Sequence, residues 1–138
     1  MIIMDRKELA LQLHHSKFNC AQSVACAFAN VMGYDPQTVF KMSEAFGFGM
    51  GHMGTCGAVS GMAMVIGMMK SDGDLDDPKT KQKCYNLMKL AAHKFEEKNG
   101  SIICKEIKGI ETGKVLRSCD GCIEDAVAIL DELLLGVK

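Results

Sequence analysis

The sequence predicts an all-α fold: a single-domain bundle of about six helices around a buried, glycine-containing central helix. Three observations predict it. Helix start and stop signals recur along the whole 138 residues. No segment of useful length alternates apolar and polar residues with the period of two that marks a half-buried strand. The β-branched pairs in the middle of the chain, Val65-Ile66 and Ile102-Ile103, both fall in helical contexts.

The elements follow in order. Asp5-x-x-Glu8 reads as a capping box opening an amphipathic run to about His14. Asn19-x-x-Gln22 is a second box, followed by Val24, Ala27, Phe28 and Val31 and stopped at Gly33. Asp35-Pro36 sets a cap before proline at the first helical position, and Gly47 closes that segment. Thr55 opens an apolar helix through about Met69. Asp77-Pro78 starts the longest helix, which runs to Glu97 or Lys98 and ends at Asn99-Gly100. Ser101 to about Ile107 reads as a short helix, and the last begins near Ser118 and ends near Leu135. Gly57 and Gly61 stand four apart on one face of the Thr55 helix, which lets a second backbone approach and makes this helix central.

One domain spanning residues 1–138 is long enough to bury a core without disulfides. Sixteen basic residues against seventeen acidic leave a net charge of −1, which removes the electrostatic case for nucleic acid or an anionic membrane surface. The N-terminus turns charged after four residues, so no signal peptide is expected and the cytoplasm is the expected compartment. Phe46 to Met69 carries no charged residue, but its first part holds Gly47, Gly49, Gly51 and Gly54. The roughly fourteen residues after Thr55 make about 21 Å of helix against a hydrocarbon core of about 30 Å, so a buried helix is expected rather than a membrane span.

Seven cysteines carry the functional signal. Asn19-Cys20, Thr55-Cys56 and Ser118-Cys119 each place a cysteine directly after a candidate N-cap, and Cys104 follows Ser101 by three residues. The first helical turn has free N–H groups and a partial positive charge, which favour thiolate over thiol. Such cysteines react, oxidise or bind metal near neutral pH. In a reducing compartment they point to redox chemistry or metal binding rather than permanent cross-links. Cys119-Asp-Gly-Cys122 is a C-x-x-C pair, with Cys122 readable either as a partner thiol or as a small buried residue. Cys26 and Cys84 lie mid-helix among apolar neighbours and read as core. Gly49-Met-Gly51-His-Met-Gly54 spells G-x-G-x-x-G, but a helical segment precedes it, so dinucleotide binding is not expected. His52 in this loop reads as a solvent-facing side chain, or else as a proton acceptor or ligand near Cys56. His14, His15 and His93 have no companion pattern.

These residues resemble the C_GCAxxG_C_C family of redox-active proteins, named for its cysteine pattern. The family's CGAxxG motif reads Cys56-Gly57-Ala58-Val59-Ser60-Gly61 here, the leading cysteine matches Cys20, and the glycine-rich run matches Phe46–Gly51. The two trailing cysteines correspond to Cys104 and Cys119, and Cys122 stands outside the four-cysteine pattern. The resemblance implies a bacterial or archaeal redox protein with an unnamed redox partner. Related sequence in split-Soret cytochromes implies electron transfer and an iron–sulfur cluster as a candidate cofactor. Covalent haem is not expected, because Ile123 follows Cys122 where the haem motif needs histidine.

Two functions are therefore expected. In the first, Cys20, Cys56, Cys104 and Cys119 are the redox thiols, with Cys56 as nucleophile, one of the others resolving it, and no cofactor required. The backbone N–H groups near Thr55 and Gly57 would stabilise the Cys56 thiolate. In the second, the same four thiolates ligate an iron–sulfur cluster, or more simply structural zinc, with Cys122 a further candidate ligand. The methionine-rich, apolar composition admits a homodimer.

Overall fold

The computed structural model describes residues 5–137; Met1–Met4, on which the signal-peptide reading partly rests, and Lys138 lie outside them. The fold is all-α, with no strand among the described residues. Eight α-helices are present: α1 (Arg6–His15), α2 (Cys20–Ala27), α3 (Ala29–Met32), α4 (Pro36–Ser43), α5 (Gly57–Lys70), α6 (Lys81–Asn99), α7 (Cys104–Lys108) and α8 (Cys119–Leu135). None is long and apolar enough to cross a membrane.

The helices among the described residues depart from the expected ones in number and bounds for local reasons. The segment after Asn19 breaks at Phe28, whose N–H bonds back to Ala25 O in a tight turn, and so yields α2 and α3. The Pro36 helix ends at Ser43 and tightens into a 3₁₀ turn over Glu44–Phe46. The longest helix starts at Lys81 instead of Asp77-Pro78. The Asp74 carboxylate accepts from the N–H groups of Asp76 and Asp77, and Lys79 Nζ bridges Asp72 and Asp74, which holds residues 72–79 as a loop.

The caps at Asp5, Asn19, Asp35 and Ser118 form as the sequence suggests. Their side chains accept from the N–H groups of Glu8, Gln22, Thr38 and Gly121. At Asn19 the box is complete, with Gln22 Oε1 accepting from Asn19 N at 3.0 Å. Two expected caps do not form. Thr55 instead pairs with Ile103 in an isolated antiparallel bridge, and Cys56 itself holds the N-cap position of α5. Ile103 caps α7, while Ser101 Oγ accepts from Ile103 N at 2.9 Å and donates to Glu106.

Helix α5 is central, packing on α2, α6 and α8. Its glycines explain the closest approach. A Cβ on Gly61 would sit 3.0 Å from Val24 Cβ and 3.1 Å from Ala21 O; one on Gly57 would sit 3.2 Å from Ala21 N and from Cys20 Cβ. The α2 backbone therefore lies directly against α5, and Cys20 is carried next to the start of the CGAxxG motif. Around this contact Phe28, Met62, Ile66, Phe95, Ile123 and Leu130 are fully buried.

A candidate redox site lined by five cysteines

The N-termini of α2, α5, α7 and α8 meet at one end of the bundle. Cys20, Cys104 and Cys119 are the first residues of their helices, and Cys56 is the cap of its own. All four line one cavity of about 150 Å³, and Cys122 lines it with them. That volume is roughly five waters' worth at about 30 Å³ each. Cys56, Cys104 and Cys122 are buried at 6%, 7% and 2% exposure, whereas Cys20 and Cys119 are half-buried. Cys26 and Cys84 lie away from it, half-buried against the hydrophobic core. Burial pushes the Cys26 thiol up to about 11.

Two backbone clamps fix the buried members. Cys56 N donates to Ile102 O at 2.7 Å, and Cys104 N donates to Gly54 O at 2.6 Å, so the loop before α5 and the loop before α7 are laced together. The glycine loop makes this possible. Phe48, Gly49, Met50, Gly51 and Met53 all take positive φ, and a Cβ on Gly49 would lie 2.5 Å from Gly54 N and 2.9 Å from Cys104 Cβ. The helical turns before this loop leave no strand to support a dinucleotide fingerprint. His52 is exposed and does not line the cavity.

The thiols influence one another chiefly as two pairs, Cys20 with Cys119 and Cys56 with Cys122. The Cys20 thiol donates to Cys119, and this bond, aided by Lys108 and His14, holds Cys119 down to about 5 against the cost of its burial. Cys20, the donor, is correspondingly pushed well above the ordinary thiol range, with burial adding to the effect. The Cys122 thiol likewise donates to Cys56, which with the N–H groups of Ala58 and Val59 brings Cys56 down to about 7, while Cys122 rises. These amides lie one and two residues beyond Gly57, further in than the Thr55 and Gly57 groups expected to do this. Cys104 is pushed up by burial.

Cationic groups that the sequence did not single out complete the wall. Lys108 Nζ lies 3.8 Å from Cys119 Sγ and 5.7 Å from the centre of the Phe48 ring. Arg117 and His14 also line the cavity. Arg117 is held by Asp125 at 3.1 and 3.3 Å and lies over Gly121 of the C-x-x-C segment. The one legible hint was Lys108 falling a helical turn after Cys104.

The profile of the family described as "Putative redox-active protein (C_GCAxxG_C_C)" matches residues 18–133, from just before Cys20 to near the end of α8. The chain belongs to this family. The matched span takes in every cysteine of the cavity. Cys122, outside the four-cysteine pattern, is on the same wall. No curated protein and no solved structure matches the chain.

Proposed function

We propose that this member of the C_GCAxxG_C_C family exchanges thiols and disulfides through Cys119 and Cys20. What supports the reading is that Cys119 is half-exposed at the N-terminus of α8, has Lys108 Nζ 3.8 Å from its sulfur, and shares its cavity with Cys20. Cys56 is the weaker candidate for first attack, because it is 94% covered and less acidic.

The steps balance. The Cys119 thiolate attacks one sulfur of a partner disulfide, the partner S–S bond breaks, and one partner thiolate leaves. Cys20 then gives its proton to the departing sulfur and attacks Cys119, which closes a Cys20–Cys119 disulfide and releases the second partner sulfur as a thiolate that takes a proton from water. The partner is reduced by two electrons and the pair is oxidised by two. An external dithiol restores the pair by the reverse exchange. The buried Cys56–Cys122 pair is a second two-electron store reachable through the first.

In reduced, metal-free protein, Cys20→Ser should trap a mixed disulfide on Cys119 that mass spectrometry locates, and Cys119→Ser should abolish it. Trapping on Cys56 with Cys119 untouched would reverse the assignment.

A second reading has its own observation. The polar lining is dominated by five thiols, yet no three of these sulfurs lie mutually within 4.8 Å among the described residues. Tetrahedral zinc with bonds of about 2.3 Å needs sulfurs about 3.8 Å apart, so the sulfurs as they stand do not form a ready zinc site, and an iron–sulfur cluster is the larger thiolate-held group that the five cysteines could take. Cys20, Cys56, Cys104 and Cys119 would hold it, with Cys122 in reserve, and it would supply one-electron transfer. Iron with acid-labile sulfide and visible absorbance after anaerobic purification would establish this reading; colourless, iron-free protein under those conditions would refute it.

A further inference from the structure

His14 and His15 close the last turn of α1. Neighbouring residues on a helix point about 100° apart, so adjacent imidazoles ordinarily diverge. Here both reach one carboxylate. His14 Nδ1 lies 2.8 Å from Asp120 Oδ1, and His15 Nε2 lies 3.0 Å from Asp120 Oδ2, one ring on each oxygen. Asp120 is in the first turn of α8, more than a hundred residues along the chain, so the docking of α1 on α8 makes the contact. The three ligand atoms lie within 4.8 Å of one another.

We propose that His14, His15 and Asp120 form a binding site for a divalent first-row transition ion, with zinc as the reference ion. Two imidazoles and a carboxylate are the borderline donors such ions take, distinct from the soft sulfurs of the neighbouring cavity. The spacing also suits. Bonds of about 2.0–2.2 Å place adjacent ligands about 2.9 Å apart at right angles and about 3.4 Å apart at the tetrahedral angle. The His–Asp separations of 2.8 and 3.0 Å, one to each carboxylate oxygen, lie at the right-angle value and about half an ångström inside the tetrahedral one, so the rings need to part only slightly to admit an ion. The remaining positions are open to water, since the side chains of His14, Asp120 and His15 are 25%, 42% and 64% exposed. The site does not depend on how the thiols react, although His14 also lines their cavity.

The competing account is a hydrogen-bonded His–Asp–His cluster that takes no ion. Zinc titration of reduced, isotope-labelled full-length protein decides between them, because imidazole nitrogen shifts report the histidines while cysteine Cβ shifts report zinc taken by the thiols. The expected result is movement of His14 Nδ1 and His15 Nε2 with one equivalent of zinc. His52 and His93 should stay still, the latter an ordinary one-histidine pair with Glu97 at 2.6 Å. His15→Ala and Asp120→Asn should each remove the His14 response or weaken it on the order of tenfold or more. His15 is exposed enough for its variant to keep the wild-type circular dichroism. Zinc uptake by the thiols alone, or an unchanged His14 response in both variants, overturns the proposal.

Discussion

Replacing Cys20 with alanine removes the thiol that donates to Cys119, the largest influence holding Cys119 at about 5. Without it the sulfur moves back toward the ordinary value of 9.0, with Lys108 and His14 retaining part of the depression. Full reversion sets the upper limit of the effect. At pH 6 the thiolate fraction would fall from about nine-tenths to about one-thousandth, on the order of a 900-fold loss. The thiolate that remains is the stronger nucleophile: a Brønsted slope of about 0.4–0.5 over four pH units returns roughly 40- to 100-fold. The net loss of exchange rate at pH 6 is therefore roughly tenfold, and near pH 8 it disappears or reverses. The discriminating quantity is the midpoint of the pH profile. Exchange with a small neutral disulfide, the first thiol released being followed from pH 4 to 9 and assigned to Cys119 by peptide mass, should give a wild-type midpoint near 5. Cys20→Ala should raise it by a unit or more. A wild-type midpoint near 8.5, or identical midpoints in the two proteins, would refute the shared proton between the sulfurs.

Stability should rise from pH 6 to 8.5 in urea titrations of the reduced protein. In that window each folded pair comes to hold one proton between two sulfurs while the unfolded thiols, titrating near 8.5, still hold two, so the unfolded chain binds more protons. Above about pH 9 the sign inverts, because Cys20 and Cys122 keep protons that the unfolded chain has lost; a flat profile from 6 to 8.5 would contradict the pairing. Gly61→Ala should destabilise by about 1 kcal/mol, as overpacking against Val24 and Ala21 outweighs the helix propensity gained. Gly67→Ala, on the same helix with nothing within 4 Å, should instead stabilise by up to about 1 kcal/mol, and equal effects at both sites would dismiss the close α2–α5 contact. Ser118→Ala should cost about 1 kcal/mol in thermal or chemical unfolding through loss of its 3.0 Å bond from Gly121 N.

What the sequence made legible was whatever a few residues decide among themselves. The caps at Asp5, Asn19, Asp35 and Ser118 are hydrogen bonds across three residues, and they form. The Gly57–Gly61 spacing announced a close helix contact because four residues return to the same face. Thr55 and Ser101 failed as caps for the opposite reason. Their segments are claimed by the Thr55–Ile103 bridge and by the bonds from Cys56 N to Ile102 O and from Cys104 N to Gly54 O, pairings nearly fifty residues apart with no local signature. Asp77-Pro78 looked like a helix start, but the Asp74 carboxylate holds the preceding amides in a loop. Cys122 was visible as half of a C-x-x-C, yet only the angle at which α8 meets α5 turns it toward Cys56. Lys108, Arg117 and His14 reach the cavity from three different segments, and apart from the helical turn between Cys104 and Lys108 nothing in their own neighbourhoods foretells it.

The convergence of helix starts carries an electrostatic requirement of its own. Helices α2, α5 and α8 aim their N-termini at the same 150 Å³ cavity, and the partial positive charge at each end opposes that arrangement unless anions sit between them. Asp120 and the N-cap oxygens supply some of this, but Asp120 is turned toward His14 and His15. The thiolates of Cys56 and Cys119 supply the rest, one at each of two helix starts, each with a protonated partner thiol that keeps the pair at a single negative charge. Four thiolates would overcharge the cavity; four thiols would leave the dipole ends facing one another. The half-protonated state is thus the one these helix ends favour, and it is the state from which the proposed disulfide exchange would begin. In the exchange proposed above, Cys119, half-exposed beside Lys108, is the member of the set that would meet a partner sulfur without opening the core.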